Sequence, residues 1–245
     1  MSLREYKAKR DFSRTREPDG KARNKRAAKA LLFVVQKHAA SHLHYDFRLE
    51  MDGVLKSWAV PKGIPRARGD RRLAIQVEDH PLDYADFEGT IPEGSYGAGT
   101  VMVWDSGTYE VIGDDPIPAL EVGKIHFALK GKKLKGEWTL VRTRGLESSS
   151  KPQWLLLKTG GDMPPLSARA EDQSALTRRS MAQIAGARKK NEWQSNRSVS
   201  GAKSSRNLLS GNRNGSAAVS PAWSDVRSSR LWLLLAVLPR ERLKS

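Results

Sequence analysis

The sequence predicts an all-β fold, a barrel or a sandwich built from about eight or nine short strands. Most candidate strands are bounded by Gly, Pro, Asp or Lys clusters, and they show little sustained 3.6-residue periodicity. Residues 41–51 give the clearest signal, because apolar and polar side chains alternate there with a strict period of two. One face of this strand would lie in a hydrophobic core, and the other carries His42, His44, Asp46, Arg48 and Glu50.

The other elements follow in order along the chain. Residues 31–36 form an apolar run of strand type, and Asp52-Gly53 is a tight turn signal that leads from the alternating strand into a returning strand at 54–60. The glycine-rich segment 92–99 lacks the Lys-Ser/Thr ending of a nucleotide-binding loop, so it predicts a sharp bend between strands. A short helix is predicted within 173–190. Further strands are predicted at 73–77, 100–104, 109–112, 125–129, 137–142 and 154–158.

Charge divides the chain into three parts. The formal net charge of +16 is concentrated in residues 1–30, with +7, and in residues 168–245, with +10, whereas residues 31–167 carry −1. We interpret these parts as a basic N-terminal arm, a β-domain, and a low-complexity basic tail that is predicted to be disordered. Basic arms around a near-neutral domain indicate attraction to a polyanion, most often nucleic acid. The alternative is that they only keep the protein soluble.

Composition excludes several classes of protein. The sequence contains no cysteine, which excludes disulfides, zinc–thiolate sites and cysteine nucleophiles, and which favours a reducing cytoplasm. The first residues lack the apolar segment of a secretory signal. The longest apolar run, 231–238, is far shorter than the roughly 20 residues of a membrane helix. We therefore expect a cytoplasmic protein that has no membrane partner.

Histidines cluster on and beside the alternating strand. His38, His42 and His44 lie within seven residues of one another, and Asp46 follows His44 at the i+2 position, which is on the same strand face. Neutral imidazole with a carboxylate is a common ligand set for a divalent transition metal, so the cluster predicts a site that admits manganese, zinc or iron. The alternative is that these histidines are surface or hydrogen-bonded residues on a barrel rim.

Fixed cations accompany the histidines. Arg48, Lys62 and Arg72 supply positive charge of the kind that phosphate-ester chemistry needs, because negative charge accumulates on the phosphoryl oxygens in the transition state. A weaker interpretation is a cupin-like barrel, either a metal oxygenase or a sugar-binding protein, with a loosened pattern of two histidines followed by Glu50. The spacing from histidine to glutamate is too long for that motif.

Four segments stand in a fixed order along the chain. They are FVVQKHAASHLHYDFRLE at 33–50, LKSWAVPKG at 55–63, LAIQVEDHPLDY at 73–84 and FEGTIPEGSYGAG at 87–99. Together they resemble the 3′-phosphoesterase domain of bacterial DNA ligase D, and the similarity extends from about residue 10 to residue 158. The resemblance implies a compact β-barrel of about eight strands with a polar-lined active-site pocket, to which the arm 1–30 contributes in part.

The resemblance also implies roles for individual residues. The metal ligands would be His38, His44 and Asp46, whereas His42 is not a ligand position of the family. The scissile phosphate would be held by Arg48 and His80, with Tyr84 beside them as a third catalytic residue. We expect His80 to have a near-neutral pKa and to act as a general acid. Further substrate-binding positions implied by the family are Arg10, Asp11, Glu17, Gln36, Lys62, Arg72 and Glu78.

The implied activity is manganese-dependent trimming of DNA or DNA/RNA 3′ ends on a primer-template. In the family a terminal ribonucleoside and then the 3′-phosphate are removed to leave a 3′-hydroxyl during double-strand-break repair by non-homologous end joining. The chain lacks a Lys-x-Asp-Gly nucleotidyl-transfer motif, so we expect a stand-alone, nucleoid-associated enzyme that works with Ku and with a separate ligase or polymerase. The alternative is a non-catalytic module that binds DNA ends.

Overall fold

Eight antiparallel strands close into a barrel in the computed structural model, which describes residues 2–20, 30–113, 115–143 and 151–190. All described residues belong to one compact unit, Met1–Ser195. The barrel strands are β1 (Leu31–Ala39), β2 (Leu43–Met51), β3 (Val54–Val60), β4 (Arg71–Pro81), β6 (Gly99–Val111), β7 (Lys124–Gly131), β8 (Lys135–Arg142) and β9 (Gln153–Lys158). The all-β barrel predicted from the sequence is therefore confirmed.

The strand order around the barrel is β1-β2-β3-β4-β9-β8-β7-β6, and β1 pairs with β6 to close it. A ninth strand, β5 (Gly89–Ile91), pairs with the first residues of β6. The predicted hairpin between β2 and β3 is present. Asp52 and Gly53 adopt φ values of 50° and 72°, as two-residue hairpin turns with a right-handed twist require.

Two strands predicted separately, at 100–104 and 109–112, are one continuous strand, β6. The intervening Asp105, Ser106 and Gly107 have the composition of a turn, but each pairs with a residue of β1. The Asp105 carboxylate also accepts hydrogen bonds from the backbone N–H groups of Lys132, Lys133 and Leu134. Tertiary pairing thus overrides the local turn signal, because buried backbone groups must find partners. The three-residue strand β5 was not predicted, since its pattern is too short to detect.

The helices are short. They are α1 (Leu3–Ala8), a 3₁₀ helix η1 (Leu82–Asp86), α2 (Pro116–Val122), α3 (Ala168–Glu171) and α4 (Met181–Lys190). No helix in the described part of the chain combines the length and the apolar character of a transmembrane span. Helices α3 and α4 lie within 168–245, which was predicted to be disordered, and α4 coincides with part of the helix predicted in 173–190. Residues 191–245, including the apolar run 231–238, lie outside the described residues.

Two apolar clusters lie on opposite faces of the barrel wall. The larger cluster takes side chains from all eight barrel strands, including Phe33, Phe47 and Trp138, and therefore fills the interior. The smaller cluster combines Val34 of β1 with Tyr6 of α1 and with side chains from η1, β5 and β6. Helix α1, η1 and β5 thus cover part of the outer wall, and polar side chains of β1 and β2 are buried beneath them.

Candidate metal and phosphate site

The predicted metal ligands lie together on the outer face of β1 and β2. His38 and His44 are paired across the two strands, and Asp46 follows on β2. His38 Nδ1 lies 3.6 Å from Asp46 Oδ2, and His44 Nε2 lies 3.8 Å from Asp46 Oδ1. One ligand atom from each residue lies within 4.8 Å of the others. Separations of this size allow two nitrogens and one oxygen to converge on a single cation.

The second nitrogen of each imidazole hydrogen-bonds to a backbone carbonyl. His38 Nε2 is 3.0 Å from the Gly97 oxygen, and His44 Nδ1 is 2.9 Å from the His42 oxygen. Because a carbonyl can only accept, these nitrogens carry a proton, so in the neutral form of each ring the lone pair lies on His38 Nδ1 and on His44 Nε2, the atoms nearest Asp46. This is the outer-shell arrangement that fixes the tautomer of metal-binding histidines. The donor set therefore fits a divalent transition metal.

The Glu50 side chain is not part of this cluster. Its Oε2 accepts a hydrogen bond of 2.9 Å from the backbone N–H of Leu32. The glutamate that a cupin-like site would use is therefore engaged in supporting the barrel wall, and the geometry counts against the cupin interpretation.

Arg48 is buried beside the cluster and is held by a complete hydrogen-bond network. Its Nη2 donates to Asp46 Oδ2 at 3.1 Å, its Nη1 to Ser57 Oγ at 2.8 Å and its Nε to Gln36 Oε1 at 2.8 Å. Burial by itself raises the pKa of Asp46, but the guanidinium of Arg48 and the two histidines outweigh it and hold that pKa well below its usual range. The Asp46 carboxylate is therefore ionised at neutral pH.

Gln36 is part of this hydrogen-bond network. Its Nε2 donates to the backbone oxygens of Tyr84 and Phe87 at 2.9 and 3.0 Å, while its Oε1 accepts from Arg48. Both ends of the amide are thus used to fix η1 against β1 and to orient the guanidinium. The role that this geometry supports for Gln36 is positioning of Arg48.

His80 lies between two guanidinium groups. Arg10 Nη2 is 3.2 Å from its Nε2, and Arg48 Nη1 is 2.9 Å from its Nδ1, which also lies 2.9 Å from the Glu78 backbone oxygen. Burial, followed by repulsion from Arg48 and Arg10, holds the pKa of His80 well below its usual value. The near-neutral pKa expected from the sequence is therefore wrong, because the sequence does not show that two arginines enclose this ring.

Stability should consequently fall in mild acid. Below the ordinary pKa of 6.5 an unfolded chain protonates this histidine while the folded chain keeps it neutral, so the unfolded state binds more protons. Above that pH His80 has no effect on the free energy of unfolding. Below it, His80 lowers the free energy of unfolding by at most about 1.4 kcal/mol per pH unit. Urea unfolding at about pH 7 and about pH 5.5, which is still above ordinary carboxyl pKa values, measures the difference. We expect His80→Gln to reduce that difference, and an unchanged difference in the variant would contradict the assignment.

The N-terminal arm supplies one wall of the site. Arg10 donates from Nε to Glu17 Oε1 at 2.7 Å and from Nη1 to Glu78 Oε1 at 3.3 Å, and its guanidinium lies 3.9 Å from the centre of the Tyr6 ring. Tyr84 donates its hydroxyl to the same Glu17 oxygen at 3.0 Å. Burial, and next the charge of Glu17, hold the pKa of Tyr84 well above its usual value, so Tyr84 is a neutral donor.

A cavity of about 190 Å³ lies over these groups. It is lined by the side chains described above and by two residues of the glycine-rich segment: His38, His44, Asp46, Arg48, His80, Arg10, Glu78 and Tyr84, with Tyr96 and Gly97. The glycine-rich segment, which the sequence predicted as a sharp bend, therefore contributes to the lining of this cavity. Most of the site residues implied by the resemblance lie in this one place.

Three implied residues lie elsewhere. Lys62 and Arg72 line a separate cavity of about 510 Å³, which shares no lining residue with the site, and Arg72 lies 3.4 Å from Asp70. Asp11 is exposed, and hydrogen bonds from Ser13 lower its pKa. A substrate role for these three residues stays a prediction, since their side chains make no contact with the site in this structure.

The geometry also adds residues that the sequence did not single out. Ser57 Oγ accepts from Arg48 and lies 3.4 Å from His80 Nδ1, and Tyr6 packs its ring 5.0 Å from the His80 ring. Gly97 orients His38 through its backbone oxygen. Ser57 had a detectable signal, because the register of the hairpin at Asp52-Gly53 places it directly opposite Arg48. The contribution of a backbone oxygen leaves no signal in residue types.

Comparison with known proteins decides the family. The model of the DNA Ligase D 3'-phosphoesterase domain matches residues 36–142, which include His38, His44 and Asp46 as well as Arg48 and His80. The chain contains a DNA ligase D 3′-phosphoesterase domain. The resemblance stated from the sequence motifs is therefore confirmed, and the barrel, the outer-face site and the arm that covers it describe how this phosphoesterase domain is built.

Relatives of the phosphoesterase domain lie within longer proteins. The chain is 58% identical over 158 residues to the multifunctional non-homologous end joining protein LigD of Pseudomonas aeruginosa, covering 64% of this chain and 18% of that protein. It is 49% identical over 145 residues to the protein of that name from Mycobacterium bovis, and 45% identical over 148 residues to that from Mycolicibacterium smegmatis. The chain thus spans less than a fifth of the length of these relatives.

Proposed function

We propose that this protein is a manganese-dependent 3′-phosphoesterase that processes DNA ends. It would remove a 3′-terminal ribonucleoside and the 3′-phosphate to leave a 3′-hydroxyl, in non-homologous end joining. The observation that carries the proposal is the convergence of His38 Nδ1, His44 Nε2 and Asp46 beside Arg48 and His80 in one cavity. The names of the relatives support the repair context, and the family match supports the ester chemistry.

The three cluster residues would hold the metal through two imidazole nitrogens and one carboxylate oxygen. When bound, a divalent ion polarises a phosphoryl oxygen and lowers the pKa of a coordinated water. Arg48 is pre-ordered by three side chains and would neutralise charge that develops on the phosphoryl oxygens without reorganising. The choice of manganese over other divalent metals comes from the family resemblance.

His80 and Arg10 would act as a pair in this scheme. The imidazole is neutral in the free protein, so it is not a stored proton donor. We propose that it donates a hydrogen bond to the phosphate in the tautomer that carries a proton on Nε2, while the Arg10 guanidinium, which lies against that nitrogen in the free protein, turns to the phosphate and adds positive charge at the cavity wall. Any general-acid role would require the negative charge of the bound phosphate to raise the pKa of His80 first.

Metal removal tests the proposal directly. A labelled primer-template with a 3′-phosphate should be converted to a 3′-hydroxyl product with Mn²⁺ and should stay unchanged with a chelator, because the proposed charge stabilisation needs the cation. The same primer-template with a 3′-hydroxyl is the matched control and should not change. Conversion that continues at full rate with the chelator would contradict the metal-dependent reaction. A mobility shift without product would support the non-catalytic end-binding alternative.

The remaining expectations stay predictions. They are the partnership with Ku and with a ligase or polymerase, and a cytoplasmic, nucleoid-associated location.

A further inference from the structure

A second groove adjoins the phosphoesterase site on the outer wall of the barrel. It has a volume of about 430 Å³, and Arg14 and Arg16 of the N-terminal arm form one side of it. Phe87 and Pro92 lie on the barrel side, and Arg179 and Ile184, before and within α4, form the third side. We call this feature the Arg14–Arg16 groove.

The residues that line this groove follow closely in the sequence on residues that line the active-site cavity. Ile91 lines the cavity and Pro92, the next residue, lines the groove. On the arm, Arg10 lines the cavity, and Arg14 lines the groove four residues later. The two spaces share no lining residue, but residues close together in the sequence line both of them, on the arm and again at the end of the β5 segment.

The groove carries uncompensated positive charge. Arg179 is paired with Glu88 at 2.9 Å. The exposed guanidinium groups of Arg14 and Arg16 make neither an ion pair nor a hydrogen bond with any side chain of the described residues, although Arg14 lies near enough to Asp11 to help lower its pKa. Two guanidinium groups that are not neutralised by a bonded carboxylate suit a polyanion, since guanidinium binds phosphate oxygens through two parallel hydrogen bonds.

The third side of the groove is held in place by a compact network on Glu88. Its carboxylate accepts from Ser174 Oγ at 2.5 Å, from Thr177 Oγ1 and from Arg179 Nη2. Ile184, 2% exposed, anchors α4. The segment that follows the barrel is thus fixed against β5 as a wall, which gives the groove a defined shape rather than an open surface.

We propose that the Arg14–Arg16 groove binds the phosphodiester backbone of the strand whose 3′ end enters the active site. The proposal rests on the proposed function for the identity of the strand. Arg14 and Arg16 would contact phosphates on the 5′ side of the reacting end and would add affinity that does not depend on base sequence. Each such contact releases counterions, so the groove should contribute to the salt dependence of binding.

The experiment measures binding and turnover of the Arg14→Gln/Arg16→Gln double variant. For a single-stranded primer of about ten nucleotides, the slope of log Kd against log salt concentration should become shallower by about 1.4, the value for two lost phosphate contacts, and affinity at low salt should fall about tenfold. Hydrolysis of a mononucleoside 3′-phosphate, which is too short to reach the groove, should be unchanged.

The matched control is Lys124→Gln/Lys135→Gln, which removes two exposed positive charges from β7 and β8. It should keep the wild-type salt slope. A groove variant with the slope and affinity of this control would overturn the proposal, as would displacement of the primer by polyglutamate as readily as by an unlabelled oligonucleotide. Failure of the wild type to hydrolyse either substrate would count against the proposed function. The slope of log Kd against log salt concentration would still show whether the Arg14–Arg16 groove binds the strand.

Discussion

His44→Ala should lower the turnover of a 3′-phosphate primer by about a thousandfold, whereas His42→Ala should stay within about twofold of wild type. The two histidines are two residues apart, but only His44 directs a nitrogen towards Asp46. His42 is exposed and supports the site through its backbone oxygen, which an alanine retains. The loss in His44→Ala corresponds to about 4 kcal/mol of transition-state stabilisation.

Steady-state kinetics of both variants with saturating Mn²⁺ provide the measurement. Circular dichroism should show both to be folded, because His44 is only partly buried and lies near the start of β2. Similar losses in the two variants would contradict the assignment of the ligands, since it predicts a large difference between neighbouring histidines on one strand.

Arg48→Lys should lower turnover by about a hundredfold to a thousandfold without removing the positive charge. Lysine cannot reproduce the simultaneous hydrogen bonds to Asp46, Ser57 and Gln36, so the charge loses its fixed position beside the cluster. The effect should appear mainly in kcat, because a preorganised guanidinium acts on charge that develops in the transition state.

Arg142→Lys is the control for this change. Arg142 lies at the end of β8, where it donates to the Glu121 backbone oxygen and covers the Trp154 ring, remote from the cavity lining. Its variant should keep wild-type kinetics. An Arg48→Lys enzyme with unchanged kcat would show that charge alone suffices and that the hydrogen-bond network has no catalytic role.

The local sequence pattern correctly predicted strands and turns of the barrel wall. The period-two alternation of β2 and the turn signal at Asp52-Gly53 both correspond to structure, because a strand with one buried face and a two-residue hairpin are specified by neighbouring residues. The joining of two predicted strands into β6 was missed, because it depends on pairing with β1 and on the Asp105 bonds to 132–134, which are remote in sequence.

The convergence of the three predicted ligands was also foreseeable, since His44 and Asp46 share a strand face and His38 lies across from His44 on the neighbouring strand. The environment of His80 was not. Its two arginine neighbours come from the N-terminal arm and from β2, and their combined effect on its pKa depends on burial under α1 and η1. The residue types indicated which chemistry the site could support. The protonation states depend on neighbouring residues that only the three-dimensional structure shows.

The most direct test of the metal site is a crystal structure of the protein grown with Mn²⁺, with anomalous diffraction recorded at the manganese absorption edge. The structure predicts one peak per chain, roughly 2.1 Å from each of His38 Nδ1, His44 Nε2 and an Asp46 carboxylate oxygen. The backbone hydrogen bonds from His38 to Gly97 and from His44 to His42 should be retained. A peak held by other residues, or none at the cluster while manganese supports turnover, would contradict the central claim.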